Sequence, residues 1–588
     1  MKQKTKQNSS KRSFKNIFSL LFRKYSFFRV LSYVFIIAVA LSAISVATVK
    51  SKKTPVIESV IPVVGQAGDT MVIRGTNFGA IRGTNYVEIG GNRITASGYL
   101  TWTENLIKLT IPSNVQDGLV IVVTKSGKSK PGFFANEAGI PVAVPKNIKT
   151  LQPVITEITP PSGSYGTLLT IKGSDFGTAR GTSRVVFTAN AEESSLGSGQ
   201  GELTADFDFS TITASETDYD YEYWSDSEIR VRIPDGAATG TVYVETDKGK
   251  SNLVNEEIKL TAGTKSYGTR KTYILQLNSD IDSIDTKNGT NITLRVPRPV
   301  ALSWQPMVEL TECVPGPVIS DYKNTVIHQL ELKKATSKSE KIRFSHNFVV
   351  STYAVQTQIN EKAVKPYSQD IKSRILFKNS VKADALIQSS NEKIKTFAKG
   401  IITQNRKPES NPYKQAKMLY DYLIQNYKIR DELRKSDASP LDLLKSKKGD
   451  AYDFAIFYTT LLRAVGIPSQ PIAGILVDSE MKTQAHWWTE FYLEGFGWIP
   501  ADISLGMGLP YKSFRPVENN AEFYFGNLDG QHIAFSKGWN VIKQTISQNS
   551  KIVYRPKTYA LQSIWEESSE GNVNYSSLWN DPIVLGLY

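Results

Sequence analysis

His486 and Asp502 are the residues of this 588-residue chain best suited by type to act together. They stand in the runs His486-Trp487-Trp488-Thr489-Glu490-Phe491-Tyr492-Leu493 and Gly497-Trp498-Ile499-Pro500-Ala501-Asp502, whose alternation is that of β-strands. Neighbouring strands would set the imidazole and the carboxylate side by side. An imidazole held by a carboxylate is a general-base unit, and such a unit needs a nucleophile within hydrogen-bond reach. The chain has one cysteine, Cys313, within Thr311-Glu312-Cys313-Val314-Pro315-Gly316. No basic residue or histidine close to it in sequence would lower its pKa, so an inert thiol is expected.

A third segment bears on the missing nucleophile. In Gly449-Asp450-Ala451-Tyr452-Asp453-Phe454-Ala455, running into Leu461-Leu462-Arg463-Ala464-Val465-Gly466-Ile467-Pro468, Asp450 can cap a helix. Phe454, Tyr458, Leu461, Leu462 and Val465 then form its buried stripe. This stretch resembles the nucleophile segment of the transglutaminase-like (papain-type) superfamily, which normally reads Gly-x-Cys-x-Asp-x-Ala. The two strand segments are similar to that family's His-x-Trp-x-Glu and Gly-Trp-x-Pro-x-Asp motifs. Upstream, Ala416, Leu419, Leu423, Ile424 and Tyr427 recur at helical spacing after the start signal Asn411-Pro412. Downstream, Phe525-Gly526-Asn527-Leu528-Asp529 and Ile533-Ala534-Phe535-Ser536 resemble a tail segment of bacterial members.

The resemblance implies an α+β transglutaminase-like core over 385–588, with His486 as general base and then acid and Asp502 fixing its tautomer. The nucleophile's place, at a helix start where the dipole favours a thiolate, is taken by Ala451. An alanine methyl group neither ionises nor attacks a carbonyl, so no functional catalytic residue is expected and Ala451, His486 and Asp502 read as vestigial triad positions. Thr459, Thr460 and Ser446 do not occupy the helix start, and nothing in the sequence brings Cys313 to it. Trp487, Trp488 and Trp498 could line a residual groove or equally belong to the core.

The preceding elements present this core. Pro55-Val56-Ile57 recurs as Pro153-Val154-Ile155, Ile73-Arg74-Gly75-Thr76-Asn77-Phe78-Gly79 as Ile171-Lys172-Gly173-Ser174-Asp175-Phe176-Gly177, and Arg82-Gly83-Thr84 as Arg180-Gly181-Thr182. Trp102 and Ile111-Pro112 are echoed by Trp224 and Ile233-Pro234. Short β-forming runs between Gly, Pro, Asn and Asp predict two β-sandwiches, at 54–143 and 150–262. Both copies resemble immunoglobulin-like IPT/TIG domains. The second carries an acidic insertion, roughly Ala189–Glu222, with no regular calcium-loop spacing; a solvated surface loop is expected. A further β-sandwich is expected over 270–381, with strands such as Tyr273-Ile274-Leu275-Gln276-Leu277 and Ile292-Thr293-Leu294-Arg295-Val296-Pro297.

The net charge of +14 is concentrated at one end. Nine basic residues lie between Lys2 and Arg29 and three more at Lys50, Lys52 and Lys53, before the first acid, Glu58. The near-neutral remainder argues against nucleic acid as a partner. Between the basic clusters, the uncharged run Val30–Val49 has the length of a transmembrane helix. It predicts a single-pass inner-membrane anchor at 30–49, a basic cytoplasmic tail at 1–29, and an extracytoplasmic or periplasmic body. A cleaved signal peptide ending near Ser45-Val46-Ala47 is the alternative. One cysteine excludes a disulfide framework and a Cys-rich zinc site, and no metal or cofactor is expected.

The whole is a multidomain chain: an N-terminal transmembrane helix, two immunoglobulin-like β-sandwiches, a further β domain and an α+β core. The function expected is that of an anchored interaction or scaffold protein for a protein or peptide partner, with an inactive transglutaminase-like domain. The alternatives are an amidase or acyl transferase with a non-standard nucleophile, and a structural part of an envelope machine such as a flagellar assembly.

Overall fold

A computed structural model describes residues 54–588 except 114, 117, 137–151, 191–206, 286–289, 333–340, 405, 434–438, 546–550 and 570–573. Among the described residues no helix is long and apolar enough to cross a membrane. The expected anchor at 30–49 and the basic tail lie outside the described residues. The single-pass inner-membrane assignment is corrected accordingly and is not carried forward.

The sequence repeat is a structural repeat. In the first sandwich one sheet runs Val56–Ile61, Thr70–Thr76, Leu106–Thr110, Tyr99–Trp102; in the second, Val154–Thr159, Leu168–Ser174, Glu228–Arg232, Tyr221–Trp224 stand in the same order. Equivalent residues do equivalent work. Trp102 Nε1–H donates to the Phe78 carbonyl at 3.1 Å, and Trp224 Nε1–H to the Phe176 carbonyl at 3.1 Å. Gly75 and Gly173 recur because a Cβ at either would lie 1.9 Å from a carbonyl oxygen of the paired strand, that of Val56 or Val154.

The third domain is a two-sheet β unit. Five of its strands are β1 (Gly263–Asp285), β2 (Thr290–Pro297), β3 (Met307–Val314), β4 (Thr325–Leu332) and β5 (Ile342–Ile359). One sheet runs β3, β5, β1 and the other places β2 beside β4. Both are completed from the far end of the chain. Antiparallel to β1 lie Asn574–Trp579 and Ile583–Leu587, and beside β2 lies Glu566–Ser568, followed by Lys551–Val553. The expected unit 385–588 is therefore corrected: its last segment belongs to the β domain, because β1 and β2 present edges whose backbone groups need partners.

The α+β core holds the sheet β8–β7–β6–β9, built from β6 (Ser469–Val477), β7 (Thr483–Leu493), β8 (Gly497–Ala501) and β9 (His532–Lys537). Helix α1 (Pro412–Asn426) starts where expected. The Asn411 side chain accepts from the Lys414 N–H at 3.1 Å, Pro412 fills the first turn, and Ala416, Leu419, Tyr420 and Leu423 are buried. Helix α2 (Ala451–Ala464) is apolar on nearly all sides and buried from Ala451 to Arg463. Leu461, Leu462, Phe454 and Tyr458 pack with α1 and with Phe491 and Ile499 of the sheet.

The domains are locked at buried polar junctions. Lys265 of β1 donates from Nζ to both oxygens of Asp235 in the second sandwich, at 2.8 and 2.9 Å, and to the Trp498 carbonyl at 2.6 Å. The described half of the acidic insertion is not the solvated loop expected. Phe209 is buried with Tyr267, Val300 and Trp304, and Asp218 accepts from Lys537 Nζ at 2.8 Å. Its aromatic and paired acidic side chains find partners that lie far away in sequence.

Candidate active site

Asp450 caps α2 as expected. The Asp453 N–H donates to Asp450 Oδ1 at 2.9 Å, and the Asp450 N–H donates back to Asp453 Oδ2 at 3.0 Å. Ala451 follows at the first helical position, 4% exposed, in a buried cluster that includes Tyr452, Ala455, Trp487 and Leu505. A lysine from the C-terminal segment closes the helix start. Lys557 Nζ donates to Asp450 Oδ2 at 2.7 Å, stands 3.6 Å from Asp453 Oδ1, and lies over the Tyr452 ring. A helix N-terminus that would favour a thiolate here holds a methyl group, two carboxylates and their counter-ion.

The strands place the other two expected residues together. His486 Nε2–H donates to Asp502 Oδ2 at 2.6 Å, with both side chains buried. Asp502 follows β8 and caps the short helix α3 (Ile503–Gly506), its Oδ1 accepting from the Leu505 N–H at 2.9 Å and the Ser504 hydroxyl at 2.7 Å. Among the described residues, His486 Nδ1 is buried without a hydrogen-bond partner. That nitrogen is the lone pair left when Nε2 carries the proton.

His532, at the start of β9, joins this pair although it was not among the expected site residues. Its Nε2 lies 3.2 Å from Asp502 Oδ2 and its Nδ1 2.9 Å from Asp529 Oδ1. Asp529 also accepts from the Tyr524 hydroxyl at 3.0 Å and the Gln531 N–H at 2.9 Å. Burial alone would lower the His532 pKa, but the two carboxylates outweigh it and raise it to about 9. Burial would likewise raise Asp502, yet the His486 and His532 imidazoles hold it below the usual carboxylate range. The signal was available: the chain has four histidines, and this one stands three residues after Asp529 in the recognised tail segment.

His486, Asp502 and His532 bring three donor atoms within 4.8 Å, the span of a metal site. They do not suit an ion, because an imidazolium between two carboxylates has no lone pair to give. The residues weighed as substitute nucleophiles are committed elsewhere. Thr459 Oγ1 pairs with Thr489 Oγ1 at 3.1 Å, Thr460 donates to the Ile456 carbonyl at 2.7 Å, and Ser446 to the Lys448 carbonyl at 3.2 Å. Cys313 lies in the β domain. Folding brings His328 and His346, distant in sequence, beside it, while burial pushes the thiol up to about 11, in keeping with the inert thiol expected.

The three tryptophans do not form one groove. Trp487 and Trp488 are each 1% exposed and, as successive strand residues, point to opposite faces. Trp487 meets Tyr452 edge-on, with ring centroids 5.5 Å apart, whereas Trp488 stacks on His486 at 6.1 Å. Trp498 lies under Lys537 and lines a cleft of about 950 Å³ between the second sandwich, the β domain and the core. Arg298, Arg463 and Trp539 also line it.

Residues 396–503 match the Transglutaminase-like superfamily, and residues 55–136 and 153–262 each match the IPT/TIG domain. The chain carries a transglutaminase-like domain after two IPT/TIG domains. An uncharacterized protein of Haemophilus influenzae is 25% identical over 200 residues, which are 29% of this chain and 51% of the relative. The chain thus spans about half the length of that curated relative. Among solved structures, a candidate cysteine protease from Cytophaga hutchinsonii is similar at 14% identity and a TM-score of 0.35, covering 55% of this chain and 93% of its own. The periplasmic domain of TgpA from Pseudomonas aeruginosa is similar at 12% identity and a TM-score of 0.22, covering 42% and 90%. The transglutaminase-like domain keeps the histidine and aspartate of the superfamily's motifs in hydrogen-bond contact, with Ala451 at the helix start.

Proposed function

We propose that the protein is an interaction or scaffold protein in which the transglutaminase-like domain is catalytically silent. The observation that carries the reading is a methyl group at the helix start together with a buried base whose Nδ1 has no partner among the described residues. Removing the nucleophile of such a triad costs on the order of 10⁶ in turnover. The capping of α2 by Asp450, its closure by Lys557 and the burial of His486 and Asp502 support a body kept for packing rather than for admitting a substrate. The occupant we assign is a protein or peptide, and the open cleft beside Trp498, not the triad, is its seat. Salt-bridged walls such as Arg298–Asp321 at 3.1 Å and Arg463–Asp384 at 3.4 Å suit an amphipathic polypeptide better than a uniformly charged ligand.

The test is turnover by the purified chain on a panel of peptide, isopeptide and glutamine substrates. No product is expected from the natural sequence. Hydrolysis or acyl transfer that disappears in His486→Ala would overturn the proposal. In Ala451→Cys, neither reaction with a thiol probe nor activity on the same panel is expected, because the position and its histidine and aspartate are buried; activity there would show instead that the site lacked only the nucleophile.

A further inference from the structure

The single cysteine and two of the four histidines of the chain meet in the β domain, in a cluster separate from His486, Asp502 and His532. Cys313 on β3 and His346 on β5 are directly paired across one sheet, while His328 comes from β4 of the facing sheet. Cys313 Sγ lies 3.6 Å from His328 Nε2, and His328 Nε2 lies 2.7 Å from His346 Nε2. The three donor atoms fall within 4.8 Å of one another. Both histidines are buried and Cys313 is half-buried.

We propose that Cys313, His328 and His346 form a binding site for a borderline d-block divalent cation of the zinc type. Zinc accepts thiolate at about 2.3 Å and imidazole nitrogen at about 2.0–2.1 Å in tetrahedral arrangement. Those bond lengths set sulfur and nitrogen ligands about 3.6 Å apart and two nitrogens about 3.3 Å apart. The sulfur–nitrogen separation already fits. The two imidazoles must part by roughly 0.6 Å, a rotamer-scale adjustment that exchanges their mutual hydrogen bond for two metal bonds. His346 Nδ1 faces the Leu277 carbonyl at 3.4 Å, the outer contact that leaves Nε2 as the ligating lone pair. Binding releases the thiol proton to solvent as the sulfur–metal bond forms, His328 passes its ring proton from Nε2 to Nδ1 so that Nε2 can take the metal, and water fills the fourth position. A cation here would tie β3 and β5 of one sheet to β4 of the other.

The test uses the purified full-length chain and Zn²⁺ or Co²⁺ alone as probe. With one thiol in the chain, alkylation followed by intact mass reports Cys313 and nothing else. Zn²⁺ is expected to slow that alkylation by about tenfold or more, since the metal-bound sulfur is no longer a free nucleophile. Co²⁺ is expected to give a thiolate-to-metal charge-transfer band, lost in Cys313→Ser. The protection should vanish in His328→Gln and in His346→Gln and survive in His532→Gln. Alkylation unchanged by Zn²⁺, or protection that persists in the double histidine variant, would overturn the site. Should the histidine variants misfold, the Co²⁺ spectrum of the unaltered chain still decides, and its lack of a charge-transfer band refutes the proposal.

Discussion

The imidazolium of His532 makes the stability of the transglutaminase-like core depend on pH in a defined direction. Its pKa is about 9 in the folded protein, against about 6.5 in an unfolded chain. A group raised in this way binds its proton more tightly when folded. Its contribution is fully present below about pH 6.5, declines across the interval, and is lost above about pH 9. At about 1.4 kcal/mol per unit, the difference is on the order of 3 kcal/mol, undiscounted because the ring is buried between two carboxylates. Several domains unfold in stages, so a single global midpoint is the wrong observable. Amide hydrogen exchange of a peptide spanning β9 reports the local opening instead. The protection ratio of the natural chain to His532→Gln at equal pH cancels intrinsic exchange rates. That ratio should be on the order of a hundredfold larger near pH 6 than near pH 9.5. A ratio independent of pH, or a His532 ¹³Cε1 resonance showing a neutral ring at pH about 7, would refute a buried imidazolium.

Two substitutions test the packing around the same site. Lys557→Met leaves two buried carboxylates at the start of α2 without their lysine, and should destabilise the core by about 3–5 kcal/mol in denaturant unfolding followed by tryptophan fluorescence; a change under about 1 kcal/mol would show that Lys557 is incidental. Gly474→Ala puts a Cβ 1.9 Å from the Ile533 carbonyl oxygen, so β9 must separate from β6. The variant is expected to lose protection of the β9 amides, and near-natural exchange there would contradict the close approach.

How much of this was legible in the sequence varies with the distance over which the deciding contacts act. The cap of α2, the start of α1 and the strands of the two repeats depend on residues a few positions apart. Asp450, Asn411 and the Gly75/Gly173 pair announce themselves. His486 and Asp502 were paired correctly because alternation fixes which strands they occupy, and β7 and β8 are joined by a short turn. His532 escaped although it stands three residues after Asp529, because its pairing with Asp502 depends on β9 crossing to the far side of β6. The tryptophans in sequence suit a groove or the core equally, and strand alternation sends Trp487 and Trp488 to different cores while Trp498 lines the cleft.

The sequence by itself determined the order of domains, the repeat, the helix start with Ala451, and the histidine–aspartate pair, because short-range periodicity and side-chain chemistry suffice for each. Only the tertiary structure decided that the C-terminal strands complete the β domain, that Lys557 closes the helix start, that Asp502 serves two imidazoles, and that Cys313 has histidine neighbours. In each of these, backbone edges, buried charges or donor atoms satisfy one another across gaps in sequence that no local pattern spans.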